Sequence, residues 1–180
     1  MGMLKDPGPV KLFTGMLTGE VELFDKAEPL LVKLYGNVDY RSGIMDFKHT
    51  NYYEDELGKV VYRRFVSFNN LMSPGQLARI KVDTNKVESL FLSESTKKRR
   101  INIDPGYIDY AKLVLASTKD FAHRLYIGEQ VFAEVTLQYH KGMFVPFGWT
   151  YPDYKTEEYN TIFLKIRELY SEQVSRNKVV

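Results

Sequence analysis

The run from Val60 to Phe68 constrains the fold most, because it predicts a β-strand that is followed at once by a helix start. Its sequence, VVYRRFVSF, is rich in the β-branched and aromatic residues that strands prefer. The next segment, Ser73-Pro74-Gly75-Gln76, has the pattern of a capping box, with Ser73 as the N-cap and the Gln76 side chain reaching back to it. We therefore expect a strand and a helix in direct succession.

The segments on either side extend this unit into a longer order of elements. Hydrophobic periodicity predicts strands at 10–14, 38–42, 60–68 and 99–103, and helices at 18–36 and 73–91. Pro29 lies inside the first helix, where a proline costs roughly 3 kcal/mol, so we expect a kink or a restart near Glu28. The order strand, helix, strand, strand, helix, strand is the βαββαβ order of ferredoxin-like α+β domains.

Residues 107–117 fit two interpretations. Asp104, Pro105 and Gly106 can serve as the N-cap, first position and first turn of a third helix, because the apolar residues that follow have helical spacing. The short apolar run at 113–116 equally fits a buried strand.

The last third of the chain predicts a hairpin and a helix. Segments 124–127 and 132–139 are strand-like, and Thr156 can cap a helix that begins with Glu157 and Glu158. We predict an α+β fold with a ferredoxin-like βαββαβ core, extended by a helix, a β-hairpin and a C-terminal helix.

Composition indicates one domain and excludes several classes of protein. The chain has 180 residues and is 44% hydrophobic, so we expect a single domain over 1–180, with 1–8 as a flexible N-terminal tail. The net charge of +2 is too small to indicate a polyanionic partner. Without cysteine there is no disulfide, thiolate metal site or thiol nucleophile. No apolar run reaches the roughly 20 residues that cross a bilayer, so we expect a cytoplasmic protein with no membrane partner.

The common nucleotide and metal motifs are missing. The glycines that come nearest to a P-loop, Gly15 and Gly19, are too close together and are followed by the anionic Glu20. No G-x-G-x-x-G follows a strand, and there is no H-E-x-x-H. We predict no protein metal site, although Mg²⁺ could accompany a nucleotide ligand.

The stretch from Asp104 to Arg124 has the densest mixture of charge and glycine and is the predicted site. Asp104 also fits a simple helix N-cap, which is worth about 1 kcal/mol without any ligand. In the functional interpretation, Arg124 binds phosphate bidentately and His123 transfers protons, because imidazole titrates near neutral pH. The predicted catalytic residues are His123 and Glu134, and the predicted ligand-binding residues are Asp104, Lys112, Lys119 and Arg124.

These residues predict a protein that binds a nucleotide or another phosphorylated small molecule without a P-loop, and they leave open whether it is an enzyme. The alternative is a noncatalytic RNA- or protein-binding module. In RNA-recognition domains of this topology, bases stack on strand aromatics, and Phe13 and Phe65 occupy comparable positions here. Val61-Tyr62-Arg63-Arg64, however, departs from the head of the third-strand motif of those domains.

Several segments along the chain also resemble one protein family. They are Pro9–Phe13, Asn102–Tyr107, Lys112–Asp120, His123–Gly128, Ala133–Leu137 and Trp149–Tyr154. Together they are similar to an uncharacterised prokaryotic family, domain of unknown function number 4416, whose members are sometimes labelled GTP-binding. The resemblance identifies a family and implies no established activity or catalytic residue.

Overall fold

The computed structural model describes residues 2–48 and 52–177, and its fold is α+β. The helices found in these residues are α1 (Glu22–Tyr35), α2 (Glu54–Leu57), α3 (Leu77–Ser89) and α4 (Glu157–Asn177). The strands are β1 (Val10–Thr18), β2 (Val38–Arg41), β3 (Met45–Phe47), β4 (Val61–Met72), β5 (Ile101–Ile108), β6 (Lys112–Ser117), β7 (Leu125–Gly128), β8 (Val131–His140) and β9 (Met143–Pro146). Residues 2–9 are exposed and form neither helix nor strand.

The nine strands of the described residues form one antiparallel sheet. Its order is β2-β4-β1-β5-β6-β8-β7, with β3 also paired to β4 and β9 also paired to β8. This order is more complex than that of a four-stranded βαββαβ core, because β6 to β9 continue the sheet beyond β5.

Helices cover both faces of the centre of the sheet. Successive residues of a strand point to opposite faces, so β1 contributes to two cores. Leu12 and Met16 join the core that contains residues of α1 and α3, whereas Phe13 packs in the core formed with α4. Every residue of β1 is buried, which makes this strand the centre of the fold.

The prediction of a helix that begins at Asp104 is wrong. Residues 101–108 form β5 and residues 112–117 form β6, so the alternative interpretation of 113–116 as a buried strand is confirmed.

The sheet explains why a Pro-Gly sequence is tolerated within β5. The Ile103 amide donates to the Glu88 side chain and so points away from β1, and alternation along the strand places the nitrogen of Pro105 on the same side. That side has no strand partner at this level, so the proline removes no ladder hydrogen bond. A Cβ at Gly106 would lie 2.5 Å from the Val114 carbonyl oxygen, so glycine lets β6 approach closely.

The remaining local predictions differ in outcome. The Ser73 capping box is confirmed, with the Ser73 amide donating to Gln76 Oε1 over 3.2 Å. Thr156 caps α4 as predicted, since its hydroxyl accepts from the Tyr159 amide at 3.3 Å. The helix predicted at 18–36 begins later than expected, because Thr18 belongs to β1 and α1 starts at Glu22; α1 continues without interruption through Pro29.

Candidate functional site

The sheet opens between β5 and β6, and the opening forms a cavity. The two strands are paired only where Gly106–Ile108 lie opposite Leu113–Leu115. Beyond this point residues 101–105 stay paired with β1, while β6 follows β8. The gap widens into a cavity of about 820 Å³, within the range of roughly 300–1,000 Å³ that is typical of small-molecule sites.

Two buried charged side chains of α3 form hydrogen bonds with the backbone at the open edge of β5. Lys81 Nζ donates to the Ile103 carbonyl oxygen over 3.1 Å, and Glu88 Oε1 accepts from the Ile103 amide over 2.7 Å. Residues seven apart lie on the same face of a helix, so α3 presents both groups to the strand. They satisfy the backbone groups that β6 would otherwise pair.

The same two side chains belong to a closed ring of polar contacts on this wall. Lys81 Nζ lies 3.2 Å from Asp104 Oδ1, and Asn102 Nδ2 donates to the other Asp104 oxygen over 2.7 Å. Arg99 donates to Asn102 over 2.9 Å and to Glu88 over 3.1 Å. A Lys81–Glu88 separation of 4.0 Å closes the ring.

The ring places its two carboxyl groups in different electrostatic environments. Burial raises the pKa of Glu88, although Lys81 and the Ile103 amide act in the opposite direction. Burial also opposes ionisation of Asp104, but the charges of Lys81 and Arg63 outweigh it and lower the pKa of Asp104. The Asp104 side chain is 27% exposed and that of Glu88 only 4%, so Asp104 is the carboxylate that a ligand can reach.

On the side of the cavity opposite β5, Arg124 connects several segments of the lining by hydrogen bonds. Its Nε donates to Glu134 Oε2 over 2.7 Å, and its Nη2 donates to the Tyr151 hydroxyl over 2.8 Å. Nη1 donates to Ser117 Oγ over 2.7 Å and to the Lys119 carbonyl over 3.0 Å. One guanidinium therefore joins the end of β6, the loop after it, β8 and the turn before α4.

His123 lies behind this wall. Its Nε2 is 2.9 Å from Glu134 Oε2, and its ring stacks on Trp149 at a centroid distance of 5.5 Å and an interplanar angle of 14°. The Trp149 indole is itself fixed, because its N–H donates to the Val135 carbonyl. His123 does not line the cavity, whereas Glu134 does, so the contact with Glu134 connects His123 to the lining.

Arg63 is a buried cation in the cavity lining. Its side chain is 3% exposed, and Nη2 donates to Asp153 Oδ2 over 3.0 Å. A Cβ at Gly15 would lie 2.8 Å from Nη1, so the glycine leaves room for the guanidinium. Among the described residues, Arg63 Nε and Nη1 have no hydrogen-bond partner. The charge still acts on the site, because it lowers the pKa of Asp104.

Lys119 is an exposed basic side chain in the cavity lining. Its Nζ lies 3.9 Å from the centroid of the Tyr52 ring, a cation–π arrangement. Within residues 2–48 and 52–177, Lys119 forms no ion pair with a carboxylate, unlike the other basic side chains that line the cavity.

The structure brings together most of the residues that the sequence singles out. The predicted residues that line the cavity are Asp104, Lys119, Arg124 and Glu134. His123 contacts this group through Glu134. Lys112 lies apart from it, at the start of β6, with its Nζ 2.8 Å from Asp109 Oδ2. The hydrogen bond to Asp109 raises the pKa of Lys112 and uses its charge locally.

Five further charged residues line the cavity but are not among the predicted site residues: Arg63, Lys81, Glu88, Arg99 and Asp153. One signal could have indicated two of them. Lys81 and Glu88 fall on the face of α3 that also carries Leu77 and Thr84, where charged residues are rarely buried without a partner. Arg99 belongs to the basic run at 97–100, which is a local signal of its own, whereas Arg63 and Asp153 have no comparable signal.

The described residues show neither a candidate metal centre nor a membrane-spanning helix. There, no three or more His, Cys, Asp or Glu side chains are grouped so that they could hold a metal ion. None of the helices in the same residues has the length and apolar character needed to cross a membrane.

Comparison with known proteins gives one match. A family model described as Domain of unknown function (DUF4416) matches residues 8–170, which is most of the chain. No curated protein and no solved structure shows a significant match.

Proposed function

The chain belongs to this family of unknown function, and on that premise we propose that its cavity binds a nucleotide or another phosphorylated small molecule, without a P-loop. The observation that carries the proposal is the concentration of basic side chains around one cavity of about 820 Å³. They come from β4, α3, the segment before β5 and the segment after β6, so only a ligand in the gap could contact several of them. Sites of this kind combine a concave, partly apolar lining with a few convergent polar groups.

Aromatic side chains support a ligand with a planar part. Tyr53, Phe121 and Tyr151 line the cavity together with Tyr52, and the Lys119 ammonium lies over the Tyr52 ring. Aromatic faces of this kind can stack on a nucleobase. Nucleotide binding therefore fits both the basic and the aromatic parts of the lining.

If the protein also transfers protons, we propose that Glu134 is the cavity-lining member of the pair formed by Glu134 and His123, with a side chain that is 1% exposed. Its carboxylate lines the cavity and accepts from Arg124 and from the Thr136 hydroxyl. His123 would then act as a positioning residue through its 2.9 Å contact with Glu134. Mg²⁺ would arrive with a nucleotide and would be held mainly by its phosphates.

The alternative function is a ferredoxin-like binding module. Support for such a core comes from the partial order β2-β4-β1-β5, in which α1 and α3 pack on the same core. RNA binding by stacking is less favoured, because Phe13 and Phe65 are both 0% exposed in the core formed with α4. The absence of cysteine favours a reducing compartment such as the cytoplasm.

Ligand-dependent thermal stabilisation tests the proposed function. We expect at least one nucleotide or sugar phosphate, offered at millimolar concentration with and without Mg²⁺, to raise the melting temperature. A ligand at 100 times its Kd should add about 2.7 kcal/mol to the free energy of unfolding. Absence of stabilisation by every compound of the panel would refute the proposal.

A further inference from the structure

The basic groups of the cavity are largely neutralised by the protein itself. The four pairs are Arg63–Asp153 at 3.0 Å, Lys81–Asp104 at 3.2 Å, Arg99–Glu88 at 3.1 Å and Arg124–Glu134 at 2.7 Å. Removing one partner from a buried pair is strongly destabilising, because it leaves a charge without compensation. These cations are therefore not free to neutralise several negative charges on a ligand.

Lys119 differs from these four cations. Among the described residues that line the cavity, it is the basic side chain without a carboxylate partner. It is exposed and stands at the aromatic part of the lining, next to Tyr52. An anionic group that enters the cavity can pair with Lys119 without breaking any existing ion pair.

The other reachable polar groups suit uncharged parts of a ligand. Asp104 is ionised and 27% exposed, so it can accept hydrogen bonds from hydroxyl groups but repels phosphate. Asn85, Ser117 and Thr118 add neutral donors and acceptors to the lining. The α3 residues that reach the cavity come from the middle and end of the helix, so its N-terminal amides are not available to an anion.

We propose that the cavity selects a ligand with a single anionic group, one phosphate or one carboxylate, on a body that carries hydroxyl groups, and that it discriminates against nucleoside triphosphates. Lys119 binds the anionic group, and Asp104 accepts from the hydroxyl groups. This inference rests on the proposed function and narrows its ligand class. A triphosphate would place additional negative charge against Asp104 and Glu134, and the like-charge contacts would cost affinity.

Calorimetric titration tests this selection with nucleotides that differ only in phosphate number and with two smaller acids. The panel consists of the mono-, di- and triphosphates of adenosine and guanosine without Mg²⁺, ribose 5-phosphate, and gluconate as the carboxylate. We expect the tightest binder to carry one anionic group, and each nucleoside triphosphate to bind at least tenfold more weakly than its monophosphate. Comparison of ribose 5-phosphate with gluconate identifies phosphate or carboxylate as the preferred anion.

The variant Lys119→Gln tests the residue assignment. It should weaken the tightest binder about tenfold or more, because a charge-assisted hydrogen bond is lost. Lys33→Gln replaces an exposed lysine of α1, which does not line the cavity, and should leave affinity unchanged. Both variants should keep the wild-type melting temperature without ligand, since each lysine is exposed.

The outcomes distinguish failure of this inference from failure of the proposed function. Tighter binding of triphosphates than of monophosphates would overturn the inference and leave the proposed function standing. Wild-type affinity in Lys119→Gln would overturn the assignment of the anion to Lys119. Failure of every compound to bind would overturn the proposed function, and the inference with it.

Discussion

The buried pair of Arg124 and Glu134 offers a quantitative test of how the cavity wall is held. Their side chains are 2% and 1% exposed, and Arg124 Nε donates to Glu134 Oε2 over 2.7 Å. Replacing Glu134 with leucine leaves a buried guanidinium without its carboxylate. Removing one partner from such a pair costs about 3–5 kcal/mol.

The expected loss lies at the lower end of this range. Arg124 keeps hydrogen bonds to Ser117, to the Lys119 carbonyl and to Tyr151, so it loses charge compensation but not all of its acceptors. We therefore expect Glu134→Leu to lower the free energy of unfolding by about 3 kcal/mol. For a chain of this size, that loss corresponds to a decrease of about 6–12 °C in melting temperature.

Urea denaturation followed by far-ultraviolet circular dichroism measures this loss. The double variant Arg124→Met with Glu134→Leu removes both charges and should be less destabilised than Glu134→Leu alone, because no uncompensated charge remains. Glu94→Gln, in an exposed loop, is the matched control and should change stability by less than about 0.5 kcal/mol. A Glu134→Leu variant within about 1 kcal/mol of wild type would refute the reasoning.

Three further predictions concern stability. Gly106→Ala should destabilise by about 1–3 kcal/mol, because its Cβ would lie 2.5 Å from the Val114 carbonyl oxygen; a denaturation midpoint equal to that of wild type would contradict the close approach of β6. The pKa of Asp104 is lower in the folded state than its ordinary value of 3.8. Ionisation of Asp104 therefore stabilises the fold at a pH above 3.8, and this stabilisation is lost as the pH falls through the folded-state pKa. Asp104→Asn should therefore flatten the loss of stability as the pH falls below 3.8, as measured by denaturation at each pH; an unchanged slope would argue against it. Ser73→Ala removes the capping side chain before α3 and should cost about 1 kcal/mol in urea denaturation, whereas Ser95→Ala, in an exposed loop, should cost less.

Two predictions that depend only on neighbouring residues were confirmed by the structure. The Ser73–Gln76 capping box and the Thr156 cap depend on contacts within one turn of chain, and both are present. β4 includes residues 61–68 of the strand predicted at 60–68 for the same reason, since β-branched and aromatic residues favour extended backbone locally.

The predicted helix start at residues 104–106 is wrong, because distant parts of the chain determine the backbone conformation there. Asp104-Pro105-Gly106 has the local pattern of a helix start, yet its conformation is set by pairing with β1 and by side chains of α3. The proline fits this strand only because β6 has separated from it there. No window of sequence around Pro105 contains that information.

The sequence by itself determined the α+β class and the caps before α3 and α4, and the segment it predicts as a site contributes Asp104, Lys119 and Arg124 to the cavity lining. The tertiary structure decided the cavity, because the cavity exists only where β5 and β6 part and where Arg63, Lys81 and Asp153 come together. Local propensity acts over neighbouring residues, whereas strand register and ion pairing join residues far apart in the chain. Among the described residues, Lys119 is left as the basic side chain of the cavity without a carboxylate partner by the same long-range pairing, which neutralises the other basic groups of the lining.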